Sequence, residues 1–333
     1  MPTESQPANR ESDSGQSSNQ EAGDCVECSV SPPTSFLIHR FKPDNIMHVL
    51  HDDILPAYAV LKNMFPSIPA PFPVRLVFAD GYGVMPHDDL YAELVQYGLV
   101  YNSNKLCFQN LIVGFDKSTL WYRYGFRVPQ GPVPHNRTFI NEIISGYVKD
   151  RVNHSSKSQI TLFSRTDNRL ILNEGELMVR LAREFSKSVK TVDLEFHSLA
   201  EVIDAVSRSS VVVGMHGAML STMMWMPKGG TVLELFPYAV NPSHYSPYRT
   251  LANIRDLRYI SWANAIRSNT VGHADYTKEY GGLGHLPSVE QSRIMSETEV
   301  KPHLCCEDPS WLYHIYQDTV VDVEAVIQLL KTV

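Results

Sequence analysis

The C-terminal half of the sequence predicts an α/β fold built on a parallel sheet. Its β-type runs lie at residues 160–163, 189–194, 211–213 and 231–236. Helical patterns separate these runs, and such an alternation favours parallel strands joined by right-handed crossovers. A capping box supports the helical assignment, because Ser198 is followed three residues later by Glu201 and opens a helix to about Arg208.

Two further helices of this half follow from local patterns. Asn173 is placed to cap a helix in which Leu177, Leu181 and Phe185 recur at helical spacing. A last amphipathic segment at 322–330 predicts a closing helix.

The N-terminal half reads as a strand-rich α/β unit whose order of elements is less clear. Apolar runs at 74–78 and 111–114 predict strands, and helical spacing occurs at 54–64 and 90–97.

Three segments follow from these patterns. Residues 1–35 are polar and end near a Pro-Pro pair, so we expect them to be disordered. We then expect an N-terminal lobe at 36–157 and a C-terminal lobe at 158–333.

The composition is that of a globular protein, with 43% hydrophobic and 20% charged residues. The net charge is 29 − 36 = −7, so no strong positive field holds a nucleic acid or an anionic membrane. The five cysteines lack the spacing of a disulfide scaffold or a structural zinc site. The N-terminus shows no apolar signal segment, and no apolar run reaches the roughly 20 residues of a membrane span.

Two triplets have the pattern of N-glycosylation acceptors, Asn136-Arg137-Thr138 and Asn153-His154-Ser155, which matter only in the secretory pathway. In an oxidising compartment Cys107 is a candidate partner for Cys305 or Cys306, although all three are equally compatible with buried thiols.

Polar or glycine-containing segments follow three of the predicted strands. They lie at residues 164–169, 214–218 and 234–238. Ligands of open parallel sheets bind outside the carboxyl ends of the strands, so we expect these segments to border one site.

The first segment places two arginines at that edge. Arg165 and Arg169 stand there with Ser164 and Asn168, and guanidinium groups grip a diphosphate bidentately without a metal ion. The alternative is that both are solvated loop charges.

The second segment is a strand-to-helix turn. Gly214 and Gly217 let the backbone turn tightly and approach a ligand next to His216, and Ala218 leaves room for it. The first amides of the following helix favour an anion. The segment is neither a dinucleotide fingerprint nor a P-loop. The alternative is that small residues only permit close packing and that His216 is structural.

The third segment contains a carboxylate in an otherwise apolar strand. Glu234 needs a partner there, and two ribose hydroxyls are one candidate. Phe236 or Tyr238 could then stack on a base, although each taken singly fits an ordinary core aromatic.

The N-terminal half has one dense polar cluster, made of His48, His51, Asp52 and Asp53. It suits a general base that takes a proton from a hydroxyl, or a metal site whose third and fourth ligands we cannot place. The similar triplet His87-Asp88-Asp89 is better interpreted as the start of a helix.

Taken together, these segments make the chain resemble glycosyltransferase family 61 from about Phe36 to its end. The matching segments are Arg40-Phe41, Pro43-Asp44-Asn45, Met47-His48-Val49, His51-Asp52-Asp53, Phe163-Ser164-Arg165-Thr166, residues 168–174, Met215-His216-Gly217-Ala218, residues 232–245, His303-Leu304-Cys305-Cys306 and residues 315–319. Their ordered co-occurrence is much more specific than any one of them.

The resemblance implies a GT-B fold of two Rossmann-like lobes, with an N-terminal lobe that lacks its opening elements. It also implies transfer of N-acetylglucosamine from UDP-N-acetylglucosamine to O-linked mannose, in β-1,4 linkage and with inversion. The acceptor would be a glycoprotein of the α-dystroglycan type in the lumen of the endoplasmic reticulum. Members of the family carry a membrane anchor and a fibronectin type III domain that are not found in this sequence.

The implied roles fall on residues already singled out, and no metal ion or other cofactor is expected. Ser164, Arg165, Asn168, Arg169, His216, Gly217, Ala218, Glu234 and Phe236 would bind the UDP-sugar. Asp52, Asp53 or His51 would be the catalytic base, since these residues face the cleft from the opposite lobe if the fold is GT-B.

Three other functions remain open at this point. The chain could be a non-catalytic UDP-sugar-binding remnant, or a family member that modifies EGF domains. A metallohydrolase built on His48, His51 and Asp52 is the third. A homodimer is compatible with the sequence.

Overall fold

The computed structural model describes residues 34–101, 106–123, 131–133, 136–149, 159–302 and 307–332. The segment 1–35, which we expect to be disordered, lies outside the described residues except for Thr34 and Ser35. The expected lobe boundary at 157–158 also lies outside them, so the division into lobes stays a prediction.

The elements of the N-terminal part are, in chain order, β1 (Ser35–Ile38), α1 (Ile46–His48), α2 (Leu55–Met64), β2 (Arg75–Phe78), α3 (Asp88–Ala92), β3 (Leu99–Tyr101), β4 (Leu111–Val113), β5 (Tyr122–Arg123), β6 (Gly131–Pro132) and α4 (Arg137–Lys149). The first four strands form a parallel sheet of order β3-β2-β1-β4, and β5 pairs with β6 in antiparallel fashion.

A π-helical turn, Val49–Ile54, joins α1 to α2. Pro56 stands just after it and supplies no N–H to the carbonyl groups one turn earlier. One of these, the Asp52 carbonyl, accepts a hydrogen bond from Lys117 Nζ at 2.6 Å. The wide turn thus sets the direction of the polar cluster that it contains.

The strands and α-helices of the C-terminal part are β7 (Gln159–Phe163), α5 (Glu174–Phe185), β8 (Ser188–Val192), α6 (Leu199–Ser207), β9 (Ser209–Met215), β10 (Thr231–Phe236), α7 (Pro247–Ile254), β11 (Arg258–Ala263), β12 (Thr270–Val271), α8 (Ser288–Ser296), α9 (Pro309–Ile315), β13 (Asp318–Thr319) and α10 (Val323–Lys331). Its described residues also form 3₁₀ helices at Ala218–Trp225, Arg267–Asn269 and Lys278–Tyr280. Five of the strands form a parallel sheet of order β11-β10-β9-β7-β8, and β12 pairs with β13 in antiparallel fashion.

Alternating residues of the C-terminal strands face two different cores. Val232 and Phe236 belong to a buried cluster that also includes Phe36 and Leu50 of the N-terminal part. Leu233, next to Val232, faces a second cluster with α5 and α10. One continuous apolar core therefore joins the two parts, and the even-numbered face of β10, which carries Glu234, lies against it.

The predicted parallel α/β architecture is confirmed, whereas the GT-B assignment stays a prediction. The Ser198–Glu201 capping box is present, with both reciprocal hydrogen bonds. Asn173 occupies the N-cap position of α5, but its side chain instead exchanges hydrogen bonds with the backbone of Val321.

Two helices differ from the sequence expectation. The helix expected at 90–97 ends at Ala92, because the backbone beyond it pairs with Phe72. The helix after Gly217 is a 3₁₀ helix rather than an α-helix. There the hydroxyls of Ser221 and Thr222 donate to carbonyls three residues earlier and compete with α-helical bonding.

Candidate functional site

Three of the predicted segments meet at one edge of the C-terminal sheet. Strands β7, β9 and β10 are neighbours, and Phe163 pairs with Gly214 while Met215 pairs with Leu235. Their carboxyl ends therefore lie side by side. The structure thus brings the residues after β7, β9 and β10 together, as the sequence predicts.

The two arginines converge over Gly217. A Cβ atom placed on Gly217 would lie 3.2 Å from an Nη1 atom of Arg165 and 3.2 Å from that of Arg169. Gly217 has an extended backbone, so the close approach, rather than its conformation, requires a residue without a side chain.

Neutral groups hold both guanidinium groups. Arg165 donates from Nε to the Asn168 carbonyl at 2.8 Å, and Arg169 donates from Nη1 to the His216 carbonyl at 2.8 Å. The buried amide oxygen of Asn168 accepts from both arginines, at 3.3 and 3.2 Å. No carboxylate in the described part of the chain lies within ion-pair distance of either.

The positive charges of Arg165 and Arg169 destabilise each other. Burial lowers the pKa of Arg165 to about 9, and the neighbouring Arg169 adds to the effect. Burial also lowers the pKa of Arg169. Two desolvated cations beside each other, held by neutral acceptors, form a site that an anion would stabilise.

Residues near the C-terminus hold the backbone of the loop that contains Arg169. Arg169 has a left-handed conformation with φ of 57°. The following amide, of Leu170, donates to Asp318 Oδ1 at 2.8 Å, and the Tyr316 ring lies 4.7 Å from the Arg169 guanidinium carbon. The other Asp318 oxygen lies 3.0 Å from His273 Nε2. Ser164 is directed elsewhere, since its hydroxyl donates to Glu174 at 2.9 Å.

Glu234 has a different environment from the one predicted. Its side chain has 0% exposure, and its two oxygens engage His216 Nδ1 and the Tyr259 hydroxyl, each at 2.5 Å. In this geometry it is not accessible to two ribose hydroxyls. Glu234 instead orients the neighbouring His216.

Aromatic rings enclose His216 on several sides. Phe236 is fully buried and stacks on it with centroids 5.2 Å apart, so this ring is not open to a base. Tyr245 and Tyr248 lie 5.1 and 5.4 Å from the same imidazole. Tyr238, the other base-stacking candidate, is half-buried.

Sequence reasoning missed the two tyrosines and Tyr259. Tyr245 and Tyr248 follow the polar turn after β10, and that position beyond a strand end was the available signal. No comparable signal marked Tyr259, because its contact with Glu234 depends on the pairing of β10 with β11.

The N-terminal cluster is centred on Asp52, which lies between two imidazoles. His48 Nδ1 and His51 Nδ1 lie 2.8 and 3.1 Å from its oxygens. Burial alone would raise the pKa of Asp52, but His51 and the hydrogen bonds of both histidines outweigh this and hold the pKa well below its usual range. Asp52 is therefore a carboxylate at neutral pH.

His51 is fixed in one tautomer. Its side chain is fully buried, and Nε2 accepts from the backbone amides of Trp121 and Tyr122 at 3.3 and 3.4 Å. The proton must then be on Nδ1, which faces Asp52. Burial lowers the pKa of His51, so the ring is neutral.

Asp53 points away from this pair. It is buried, and its Oδ2 accepts from the Tyr91 hydroxyl at 2.7 Å. Burial raises the pKa of Asp53 to about 7, Asp52 adds to the rise, and the hydrogen bond from Tyr91 opposes it.

Tyr245 links the two clusters. Its ring lies 5.5 Å from that of Tyr122 in the N-terminal part. The Tyr122 amide donates to His51 Nε2, and the Tyr245 ring lies 5.1 Å from that of His216. Burial raises the pKa of Tyr245, and Tyr122, Glu234 and Asp52 each add to the rise. The contacts of Tyr122 and Tyr245 thus connect the Asp52 cluster to His216, and we call this region the junction.

Other features lie outside this junction. Asp88 begins α3, as expected, and pairs with the buried Arg40 at 2.9 Å. Among the described residues, no three His, Cys, Asp or Glu side chains are grouped to hold a metal ion. Nor is any helix of the described part long and apolar enough to cross a membrane.

A large groove with a volume of about 820 Å³ lies between α3 and α6, away from the junction. Asp89, Glu93 and Asp204 line that groove, and none of the predicted site residues does. The chemistry of the side chains, rather than cavity size, therefore locates the candidate site.

Comparison with known proteins gives a consistent family. A family model described as Glycosyltransferase 61 matches residues 47–233. Protein O-linked-mannose beta-1,4-N-acetylglucosaminyltransferase 2 of Mus musculus is 45% identical over 318 residues, which cover 91% of this chain and 54% of that protein. The Homo sapiens protein of the same name is 44% identical with the same coverage. The Xenopus laevis protein is 40% identical over 316 residues, 90% of this chain and 54% of its own length. The chain thus spans about half the length of these curated relatives.

The contact between Asp318 and the arginine loop leads to a first prediction. Asp318→Ala removes the acceptor of the Leu170 amide, so we expect a loss of roughly 1–3 kcal/mol in the free energy of unfolding and weaker binding of inorganic pyrophosphate. Asp318→Asn keeps an oxygen there and should retain most of the affinity. Urea denaturation and calorimetry measure the two effects, and equal pyrophosphate affinity in the parent and Asp318→Ala proteins would contradict the assignment.

The raised pKa of Asp53 leads to a second prediction. In the unfolded chain this carboxyl loses its proton near pH 4, whereas in the folded chain it does so at about 7. The folded state binds the extra proton in that window, so the free energy of unfolding should fall as the pH rises from about 4 to about 7, with a slope approaching about 1.4 kcal/mol per pH unit. Asp53→Asn should flatten the profile, and the exposed Asp275→Asn should not. Parallel profiles for the parent and Asp53→Asn, measured by urea denaturation at several pH values, would exclude this role.

Proposed function

The chain belongs to glycosyltransferase family 61, and we propose that it transfers N-acetylglucosamine from UDP-N-acetylglucosamine to O-linked mannose on a glycoprotein. The name of the relatives supports the transferred sugar, the β-1,4 linkage and the acceptor sugar. Because the chain spans about half of those proteins, its own activity is part of the proposal.

One observation carries the donor site. Arg165 and Arg169 converge over Gly217 at the carboxyl edge of the sheet, and their contacts within the described residues are to neutral acceptors. The diphosphate of a UDP-sugar has the charge that this pair needs. The amides of Gly217 and Ala218, at the start of the 3₁₀ helix, would donate to the same anion. Asn168 holds the two guanidinium groups near each other, because its side-chain oxygen accepts a hydrogen bond from both.

His216 contacts the nucleotide from the next strand. Glu234 and Tyr259 hold its Nδ1 side, and Phe236 covers one ring face. Glu234 therefore acts through His216, as a positioning residue, instead of binding the ribose itself.

Asp52 is the best of the three candidate bases. It is ionised and only partly buried, and the contacts of His51, Tyr122 and Tyr245 connect it to His216 of the donor site. Both nitrogens of His51 are engaged, and this residue orients Asp52, while Asp53 is buried against Tyr91.

In the transfer, the mannose hydroxyl gives its proton to the Asp52 carboxylate while the hydroxyl oxygen bonds to the anomeric carbon. The bond from that carbon to the diphosphate breaks, and UDP leaves with the electron pair.

We place the reaction in the lumen of the endoplasmic reticulum, on an acceptor of the α-dystroglycan type. Cys107 is disulfide-bonded, which is typical of proteins in an oxidising compartment. The remaining cysteines lie outside the described residues, so the pairing with Cys305 or Cys306 stays a prediction. The homodimer also stays one.

The overall test is turnover of UDP-N-acetylglucosamine with and without an O-mannosyl peptide. We expect acceptor-dependent release of UDP. Binding of UDP without turnover on any acceptor would favour a non-catalytic binding protein instead, and turnover restricted to EGF-domain acceptors would favour a different acceptor class.

Removal of one arginine tests the donor site. Arg165→Ala should weaken UDP binding by about 2–3 kcal/mol, or roughly 30- to 150-fold, because it removes a charge-assisted contact to the diphosphate. Arg180→Ala is the matched control, since Arg180 pairs with Glu324 on the surface. Calorimetry with UDP measures both, and unchanged affinity in Arg165→Ala would refute the site.

Paired amide substitutions test the base. Asp52→Asn should lower kcat by roughly 10²- to 10⁴-fold and leave UDP affinity unchanged, because it removes the proton acceptor alone. Asp53→Asn is the control and should retain turnover within a few-fold of the parent. If both variants transfer sugar at the parent rate, Asp52 is not the base.

A further inference from the structure

We propose that Asn136 is an N-glycosylation site whose glycan stands at the end of the molecule remote from the donor site. The proposal concerns a modification of the chain and is independent of its catalysis. It rests only on the secretory location proposed above.

The sequence requirement is met by Asn136-Arg137-Thr138. All three residues are exposed, and Asn136 immediately precedes α4. A surface position at the end of a loop is where such a modification is tolerated.

The hydrogen bond of the Asn136 carboxamide is compatible with an attached glycan. Its Oδ1 accepts a hydrogen bond from the Phe139 amide at 3.1 Å and so caps the helix. The glycan attaches through the other atom, Nδ2. The anomeric carbon of a lipid-diphosphate-linked oligosaccharide bonds to Nδ2, its bond to the lipid diphosphate breaks, and the amide loses one proton. The helix cap is therefore retained in the modified protein.

The neighbouring contacts place this site at the amino end of the C-terminal sheet. Arg137 pairs with Asp256 at 2.6 Å, and Lys228 pairs with the same carboxylate at 3.2 Å. Asp256 and Lys228 directly precede the adjacent strands β11 and β10.

The donor site lies at the opposite, carboxyl end of the same strands. A strand of six residues such as β10 separates its two ends by roughly 20 Å. A glycan on Asn136 therefore extends away from Arg165 and His216. We expect it to cover the surface near Asp256 and to leave the donor site open.

The experiment translates the full chain, behind a cleavable secretion leader, in the presence of endoplasmic reticulum microsomes. All variants carry Asn153→Gln, so that the second acceptor triplet does not contribute. Only the protease-protected fraction is analysed, which contains the chains that have entered the lumen. The readouts are the mobility step removed by peptide N-glycosidase and mass spectrometry of the Asn136 peptide.

Matched variants separate the modification from folding. Thr138→Ser keeps the acceptor triplet, whereas Thr138→Ala destroys it far from any site residue. Asn136→Asp also destroys it but keeps an oxygen that caps α4. We expect the mobility step in the parent and Thr138→Ser chains, and its complete loss in the other two.

An unmodified Asn136 in protease-protected parent chains would overturn the proposal. Transfer activity is assayed separately on the Thr138→Ala protein and should equal that of the parent. Failure of the glycosyltransferase function would leave the mobility step in place, and failure of this inference would leave the activity in place, so the two are distinguishable.

Discussion

The candidate site depends on one electrostatic constraint, the close approach of Arg165 and Arg169 over Gly217. Like charges that are partly desolvated repel, and burial has already lowered the pKa of both groups. Such a pair persists only if the surrounding structure holds it. Asn168 lies between the guanidinium groups, and Asp318 fixes the left-handed backbone at Arg169 by accepting the next amide. The fold therefore maintains an unbalanced positive charge at the edge of its sheet, and this is the property that a diphosphate would use.

The position of Asp52, on the N-terminal side of the junction, depends on a local feature of the helix that contains it. Pro56 lacks the N–H that would continue regular bonding, and the helix widens into a π-helical turn at Val49–Ile54. Asp52 lies in this turn, with its carbonyl bound to Lys117 and its carboxylate between two imidazoles. Because the two parts share one apolar core, the position of this carboxylate relative to the arginines is set by packing.

Much of this arrangement could be predicted from the sequence, and the exceptions have physical reasons. Alternating strands and helices, with the rule that ligands bind at carboxyl ends, correctly brought Arg165, His216 and Glu234 to one edge. The sequence showed that a carboxylate in the apolar strand β10 needed a partner, but not which one. Tyr259 became that partner through the register of β10 with β11, a long-range property that no local pattern contains. The wide turn before Pro56 was missed because π-helical bonding has no periodic signature at this length.

The Asp52 carboxylate and the two arginines give the junction a charge distribution that suits an inverting transfer. Tyr122 and Tyr245 connect the Asp52 cluster to His216, whose carbonyl binds Arg169. During a single displacement, negative charge develops on the acceptor oxygen as its proton leaves and then accumulates on the departing diphosphate. An anionic proton acceptor at the first position and fixed cations at the second favour charge movement in that direction. In the reverse arrangement, cations beside the acceptor would stabilise the deprotonated hydroxyl, but the charge of the departing diphosphate would not be compensated. The position of the carboxylate and of the arginines therefore matters as much as their charge.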